Sequence, residues 1–169
     1  MILIALGANL PSRFGTPPQT LYAALMAMAE RGVWPDVISR VWRSAPVPFV
    51  EGQPWYYNAV AAVKTEHRPY ELLRILLEIE AAFGRMRTVR NAPRLLDLDL
   101  IAYGDEVVMD GPELILPHPR MRERAFVLLP LSDVVDEWTH PLGGETLESL
   151  IRALPKGQQI DALADGWKE

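Results

Sequence analysis

The stretch Ala92-Pro93-Arg94-Leu95-Leu96-Asp97-Leu98-Asp99-Leu100-Ile101 sets two acids into an otherwise apolar run of strand character. Residues two apart on a strand point to the same face, roughly 6.5–7 Å apart along the backbone. Asp97 and Asp99 therefore share one side of a buried element, and like charges held that close are costly to desolvate unless a cation sits between them. A divalent metal, or a pair of them, meets that need. Arginines gather beside the pair: Arg85, Arg87, Arg90 and Arg94 precede it with no acid among them, and Arg120, Arg122 and Arg124 follow close behind His118. The guanidinium fork matches phosphate oxygens, so arginines around a metal-binding carboxylate pair point to a polyphosphate ligand. A solvated basic loop accounts for either cluster taken alone.

The elements that must carry these side chains follow from periodicity and caps. Residues 1–6 read as a strand and residues 7–12 as a turn or loop. Thr16 caps a helix with Pro17 in its first position and Gln19 completing a capping box, and Leu21, Leu25 and Met28 follow at helical spacing as far as Gly32. Residues 37–44 are expected to form the next strand. The connection 45–55, with three prolines and a glycine, has the length and composition of a lid or binding loop. A strand over 56–63 puts Tyr56, Asn58, Val60 and Ala62 on one face, where Tyr and Asn make a polar patch that either reads a flat heterocycle or simply meets solvent.

A second helix from Pro69 to Phe83 carries a broad apolar stripe and ends at Gly84. Glu80 projects from its apolar side, where a carboxylate needs a partner, and the arginine loop that follows is the nearest source. After the acid-pair strand, which ends at residues 103–104, residues 107–109 and 114–116 suggest a hairpin. A short basic helix runs into Phe126, Thr146 caps a last helix through Leu154, and residues 155–169 read as a loosely attached tail. The order strand, helix, strand, strand, helix, strand over residues 1–104 predicts an α+β, ferredoxin-like βαββαβ core. Its sheet is antiparallel with helices on one face, and the C-terminal hairpin and helices of residues 105–169 fall to the other.

With 169 residues, 49% of them hydrophobic and 23% charged, the chain is expected to be one domain over residues 1–169. The absence of cysteine excludes disulfides, thiolate zinc sites and a cysteine nucleophile. A net charge of -5 argues against a general nucleic-acid binder. The apolar run 1–6 lacks a basic flank and falls far below the ~20 residues that span a bilayer, so the expectation is a cytoplasmic protein. Lys64, Lys156 and Lys168 are the only lysines and none lies in a P-loop. Dinucleotide, nucleophile-elbow and zinc-protease motifs are missing too. Oxygen-ligated metal remains, and Mg²⁺ held partly by protein and partly by substrate phosphates fits two aspartates among arginines.

The segment Pro93-Arg94-Leu95-Leu96-Asp97-Leu98-Asp99-Leu100-Ile101 resembles the signature of the 6-hydroxymethyl-7,8-dihydropterin pyrophosphokinase family. The likeness extends to Gly7-Ala8-Asn9-Leu10, residues 43–46, Tyr56-Tyr57-Asn58-Ala59, Glu80 with Gly84-Arg85, and Leu116-Pro117-His118 through Arg124 and Phe126, in the family's order. The resemblance implies an ATP-dependent diphosphotransferase of folate biosynthesis, with two Mg²⁺ ions arriving with ATP and held by Asp97 and Asp99. It implies triphosphate contacts from Arg85 or Arg87, Arg94, His118 and Arg124, with Glu80 serving the nucleotide site. It also implies a pterin between Tyr56 and Phe126, its edge read by Asn58 and by backbone at Ser44, Ala45 and Val47. Asn91 stands where relatives commonly have tryptophan. The expected partners are ATP and a reduced pterin alcohol, without nucleic acid or membrane, and the expected state is a monomer. The reading from another class is a ferredoxin-like nucleic-acid-binding or regulatory module without catalysis, although such an RNA binder would show aromatic and basic residues on its central strands.

Overall fold

The computed structural model describes residues 1–84 and 95–169. The first strand, β1 (Ile2–Ala8), runs into a loop and then α1 (Pro17–Glu30). Thr16 closes that helix as a capping box: its Oγ1 accepts from the Gln19 amide, and the Gln19 side chain accepts from the Thr16 amide at 2.9 Å. Next come β2 (Val33–Ile38), β3 (Val41–Ser44), β4 (Tyr56–Thr65) and α2 (Pro69–Ala82). The acids open β5 (Asp97–Tyr103), and β6 (Val108–Asp110) and β7 (Leu114–Leu116) form the hairpin expected from the sequence. A one-turn helix at Met121–Glu123 leads into α3 (Ala125–Val134), followed by α4 (Leu147–Arg152) and β8 (Ile160–Leu163).

The expected strand over 37–44 is divided in two. Both β2 and β3 pair with β4, on successive stretches of the same edge. Between them Ser39 is buried; its amide bonds to the Val60 carbonyl, and its hydroxyl accepts from the Val60 amide at 2.9 Å. A side chain thus stands in for ladder bonding, a competition to which serine is prone. The short basic helix expected ahead of Phe126 is the one turn at Met121–Glu123, and the ten-residue α3 that follows it was not expected. Its sequence AFVLLPLSDV is apolar nearly all round and contains Pro130, so no helical contrast was there to read. The supposed loose tail is a part of the sheet: β8 pairs with β3, and the Trp167 indole donates to the Ser39 carbonyl at 3.0 Å.

The sheet runs β5-β1-β4-β3-β8 with every pair antiparallel. This central part, with α1 and α2 on one face, is the ferredoxin-like arrangement. Ile4, Leu6, Ala59, Ala61, Leu98 and Leu100 pack beneath those two helices. Leu3, Val60, Ala62 and Ile101 pack on the opposite face against α3 and α4. Side chains alternate between faces along each strand, so Asp97 and Asp99 emerge on the α3 side. A bulge between β1 and β5 leaves Ile101 without a partner on β1, Leu3 facing Ala102 and Ile4 facing Leu100. Asp133 clamps α3 to the sheet. Its carboxylate accepts from the Arg40 amide and guanidinium and from the Trp42 indole at 2.9–3.1 Å. Burial alone would push Asp133 upward, but those donors outweigh it and hold the carboxyl below its usual value. No helix among the described residues is long and apolar enough to cross a membrane.

Candidate functional site

The strand register builds the floor of a cleft. Asp97 of β5 faces Gly7 of β1, Gly7 faces Asn58 of β4, and Asn58 faces Trp42 of β3. One row lower, Asp99 faces Ala5, which faces Val60. Gly7 has no side chain, so the floor between the carboxylate and the amide is bare backbone. The two acids line a cleft of ≈160 Å³ together with Tyr56, Asn58, Arg124 and Phe126. Ser44, Ala45 and Val47 lie along its other side. Residues that are far apart in the chain thus converge because one sheet face carries them.

Each wall is held in its own way. On the acid wall, Asp97 and Asp99 are half-buried, and the Leu98 amide between them donates to Glu80 Oε2 at 2.9 Å. Glu80 itself is 1% exposed. Its position on α2 puts it beneath the sheet, on the side away from the cleft, so it holds the strand that bears the acids rather than lining the site. Arg124 reaches across from the start of α3, with its guanidinium 3.7 Å from Asp99 Oδ2 and over the Phe126 ring at 5.4 Å. On the opposite wall, Asn58 is buried and donates to Ser44 Oγ at 2.8 Å, a bond that fixes its amide plane. The Pro-rich loop is anchored at its far end, where Asn9 donates to the Pro54 carbonyl at 3.2 Å and Arg43 lies over the Trp55 ring.

His118 follows the hairpin, with its amide bonded to the Ile101 carbonyl at 2.8 Å. Its Nδ1 accepts from the Arg120 amide at 3.1 Å, which leaves the neutral ring with its proton on Nε2. Burial and then the positive charges of Arg124 and Arg120 push it down to about 4, against the opposing pull of Asp97. At neutral pH it is therefore an uncharged donor near the acids. Arg85, Arg87, Arg94 and Asn91 lie outside the described residues. Among the described residues no third carboxylate, histidine or cysteine joins Asp97 and Asp99 in a metal-binding group.

Sequence reasoning overlooked three contributors. Gly7, which the sequence reading put at the start of a turn, lies inside β1 and forms the floor, where a glycine in a strand keeps the backbone bare. Gln53 lines the cleft beside Tyr56. Gln158 bonds to the backbone at the start of α3, and nothing local in its sequence marks it.

Residues 3–136 match the model of the 7,8-dihydro-6-hydroxymethylpterin-pyrophosphokinase (HPPK) family. A Synechocystis protein named 2-amino-4-hydroxy-6-hydroxymethyldihydropteridine pyrophosphokinase is 36% identical over 163 residues, which cover 96% of this chain and 77% of that one. The folic acid synthesis protein fol1 of Pneumocystis carinii is 36% identical over 148 residues, covering 88% of this chain but only 19% of its own length. A crystal structure of Plasmodium falciparum HPPK-DHPS superposes with a TM-score of 0.70 at 15% identity, covering 89% of this chain and 43% of that chain. At that identity the superposition speaks for the fold alone. The chain thus spans most of some relatives and a minor part of others.

Proposed function

Because the chain belongs to the 7,8-dihydro-6-hydroxymethylpterin-pyrophosphokinase family, we propose that it moves pyrophosphate from ATP to the hydroxymethyl oxygen of 6-hydroxymethyl-7,8-dihydropterin in folate biosynthesis. The observation that carries this reading is the opening of the Asp97–Asp99 pair and the Asn58–Ser44 pair into one cleft on one sheet face. One end offers carboxylates to cations and the other offers an oriented amide to the edge of a flat heterocycle. The RNA-binding alternative loses its platform, since α3 and α4 cover the sheet face that would have to be open.

In the reaction the hydroxymethyl oxygen attacks the β-phosphorus of ATP, the hydroxyl proton is lost, the bond from the β-phosphorus to the α–β bridging oxygen breaks, and AMP departs. Positioning and electrostatics supply most of the catalysis in such transfers. Tyr56 and Phe126 hold the pterin between them, and Asn58 with the backbone at Ser44, Ala45 and Val47 fixes its edge. Arg124 and the neutral His118 donate to phosphate oxygens, and we assign Arg85, Arg87 and Arg94 to the same triphosphate. Glu80 acts through β5 by holding the Leu98 amide.

The donor set fits Mg²⁺: two carboxylates on one strand face, oxygen only, with remaining positions left to phosphate oxygens and water. Asp97 and Asp99 would hold the two ions. When bound, the metal neutralises phosphate charge and lowers the pKa of the attacking hydroxyl. The reading requires one copy of the chain and treats residues 1–169 as one catalytic domain working in the cytoplasm. It is tested by AMP release from ATP and Mg²⁺ with and without the reduced pterin alcohol. Pterin-stimulated AMP is expected, and its absence would overturn the assignment.

A further inference from the structure

Helix α3 begins with an anomaly. Its N-cap residue is Arg124, and no side-chain hydrogen bond caps it from that position. Arginine carries only donors, so it cannot accept from the exposed amides of a first helical turn. The Arg124 guanidinium is turned instead toward Asp99 and the Phe126 ring. The missing acceptor comes from far along the chain. Gln158 Oε1 accepts from the Ala125 amide at 3.0 Å, while its Nε2 donates to the Glu123 carbonyl at 2.8 Å and the Pro155 carbonyl at 3.4 Å. One amide group thus grips the backbone on both sides of Arg124.

The residue next to it reaches the opposite wall. The Gln159 carbonyl accepts from the Ala45 amide at 3.0 Å, and β8 continues this as ladder pairing of Ile160 with Ser44. Between the Pro-rich loop and residues 155–159 lies an open space of about 620 Å³, edged by Val47, Phe49, Glu123 and Lys156. Packing on that side is thin, so hydrogen bonds from the C-terminal segment are what brace the corner.

Building on the function proposed above, we propose that Gln158 is a positioning residue: it supplies the helix cap that Arg124 cannot, and so fixes Phe126 at the pterin end of the cleft and Arg124 beside Asp99. Arg124 is thereby released from capping to face Asp99. The division of labour places the charge in one residue and the cap in another 34 positions later.

Full-length wild type, Gln158→Leu and Gln158→Glu are compared by titrating the reduced pterin alcohol in the presence of Mg²⁺ and a non-hydrolysable ATP analogue, alongside steady-state kinetics. Gln158→Leu is one bond shorter and loses both the acceptor and the donor, and it should raise the pterin Kd and KM about fivefold, the factor that corresponds to a cap worth ~1 kcal/mol. Gln158→Glu keeps an acceptor at the helix N-terminus, where negative charge is favourable, but gives up the donor to the Glu123 and Pro155 carbonyls, and should recover part of that loss. A merely structural role predicts a lower unfolding midpoint with unchanged Kd and KM for the folded protein, and that result overturns the proposal. Equal impairment of both variants overturns it as well. Failure of the wild type to bind the pterin would instead remove the underlying function. Amide exchange at Ala125 would then still read the cap, with faster exchange in Gln158→Leu expected and unchanged exchange counting against it.

Discussion

The acid wall of the cleft and the wall across from it are built from different materials. Asp97 and Asp99 stand on a strand paired with β1, and the amide between them is tied to Glu80, which is 1% exposed. Across the cleft, Val47 and Val50 ride on the Pro-rich loop at 60% and 48% exposure. The first wall is fixed by backbone ladders and a buried carboxylate, while the second adds to Asn58 and Ser44 on their strands a loop held by a few anchors. Groups that must meet phosphate charge gain most from being held rigid beforehand, since reorganisation then costs nothing during the reaction. Groups that must admit and release a flat ring gain from a loop that is apolar and loosely attached.

The contrast is broken most severely at the acids. Replacing Asp97 or Asp99 by Ala should lower turnover by about 10³-fold or more, the upper range for losing one preorganised electrostatic contact. The far-ultraviolet circular dichroism should stay unchanged, and a variant with near-normal turnover would refute the assignment. Next comes Glu80→Ala, which leaves the Leu98 amide buried without its acceptor. Urea unfolding should show a loss of ~1–3 kcal/mol together with a fall in kcat. If stability fell while kcat held, the carboxylate would be holding the fold and not the acids.

The loop wall should respond in the opposite currency. Val47→Ser or Val50→Ser should leave stability within about 0.5 kcal/mol, as exposed substitutions do, yet raise the pterin KM with little change in the ATP KM. A large stability loss would show that the loop is as firmly built as β5. The smallest effect is one of pH behind the α3 wall. His140 is buried and its Nδ1 accepts from the Leu142 and Gly143 amides at 3.2 Å, beside the Arg122–Glu145 ion pair. Burial and then Arg122 push it below its ordinary 6.5, only partly opposed by Glu145. The unfolded chain therefore binds more protons just below pH 6.5. The stability present above that pH is lost as pH falls through it, and a His140→Gln variant should show a flatter urea midpoint between pH 7 and 5. An identical pH slope would remove His140 as the source.

Much of this frame was legible because local chemistry and global fold agree. Thr16 with Gln19 announced α1, the stripe through Leu72, Leu76 and Ile79 announced α2, and alternation put Tyr56 and Asn58 on one face. Glu80 was readable as an apolar-side carboxylate, but its bond to the Leu98 amide depends on how α2 crosses β5, which no helical pattern encodes. The division at Ser39 was hidden because one hydroxyl replaces a ladder bond with a residue 21 positions away. The last fifteen residues read as a tail because β8 is short and half-exposed. Its pairing with β3 is a tertiary fact, and so is the reach of Gln158 to α3.

The bulge at Ile101 has a consequence for how the acids come to face the cleft at all. From Ile2 opposite Tyr103 and Leu3 opposite Ala102, an unbroken ladder would set Ile4 opposite Ile101, Leu6 opposite Asp99 and Ala8 opposite Asp97. Both carboxylates would then point into the apolar layer under α1 and α2. The one unpaired residue advances the phase of the strand by half a period. Loss of a single codon at this point would invert the site.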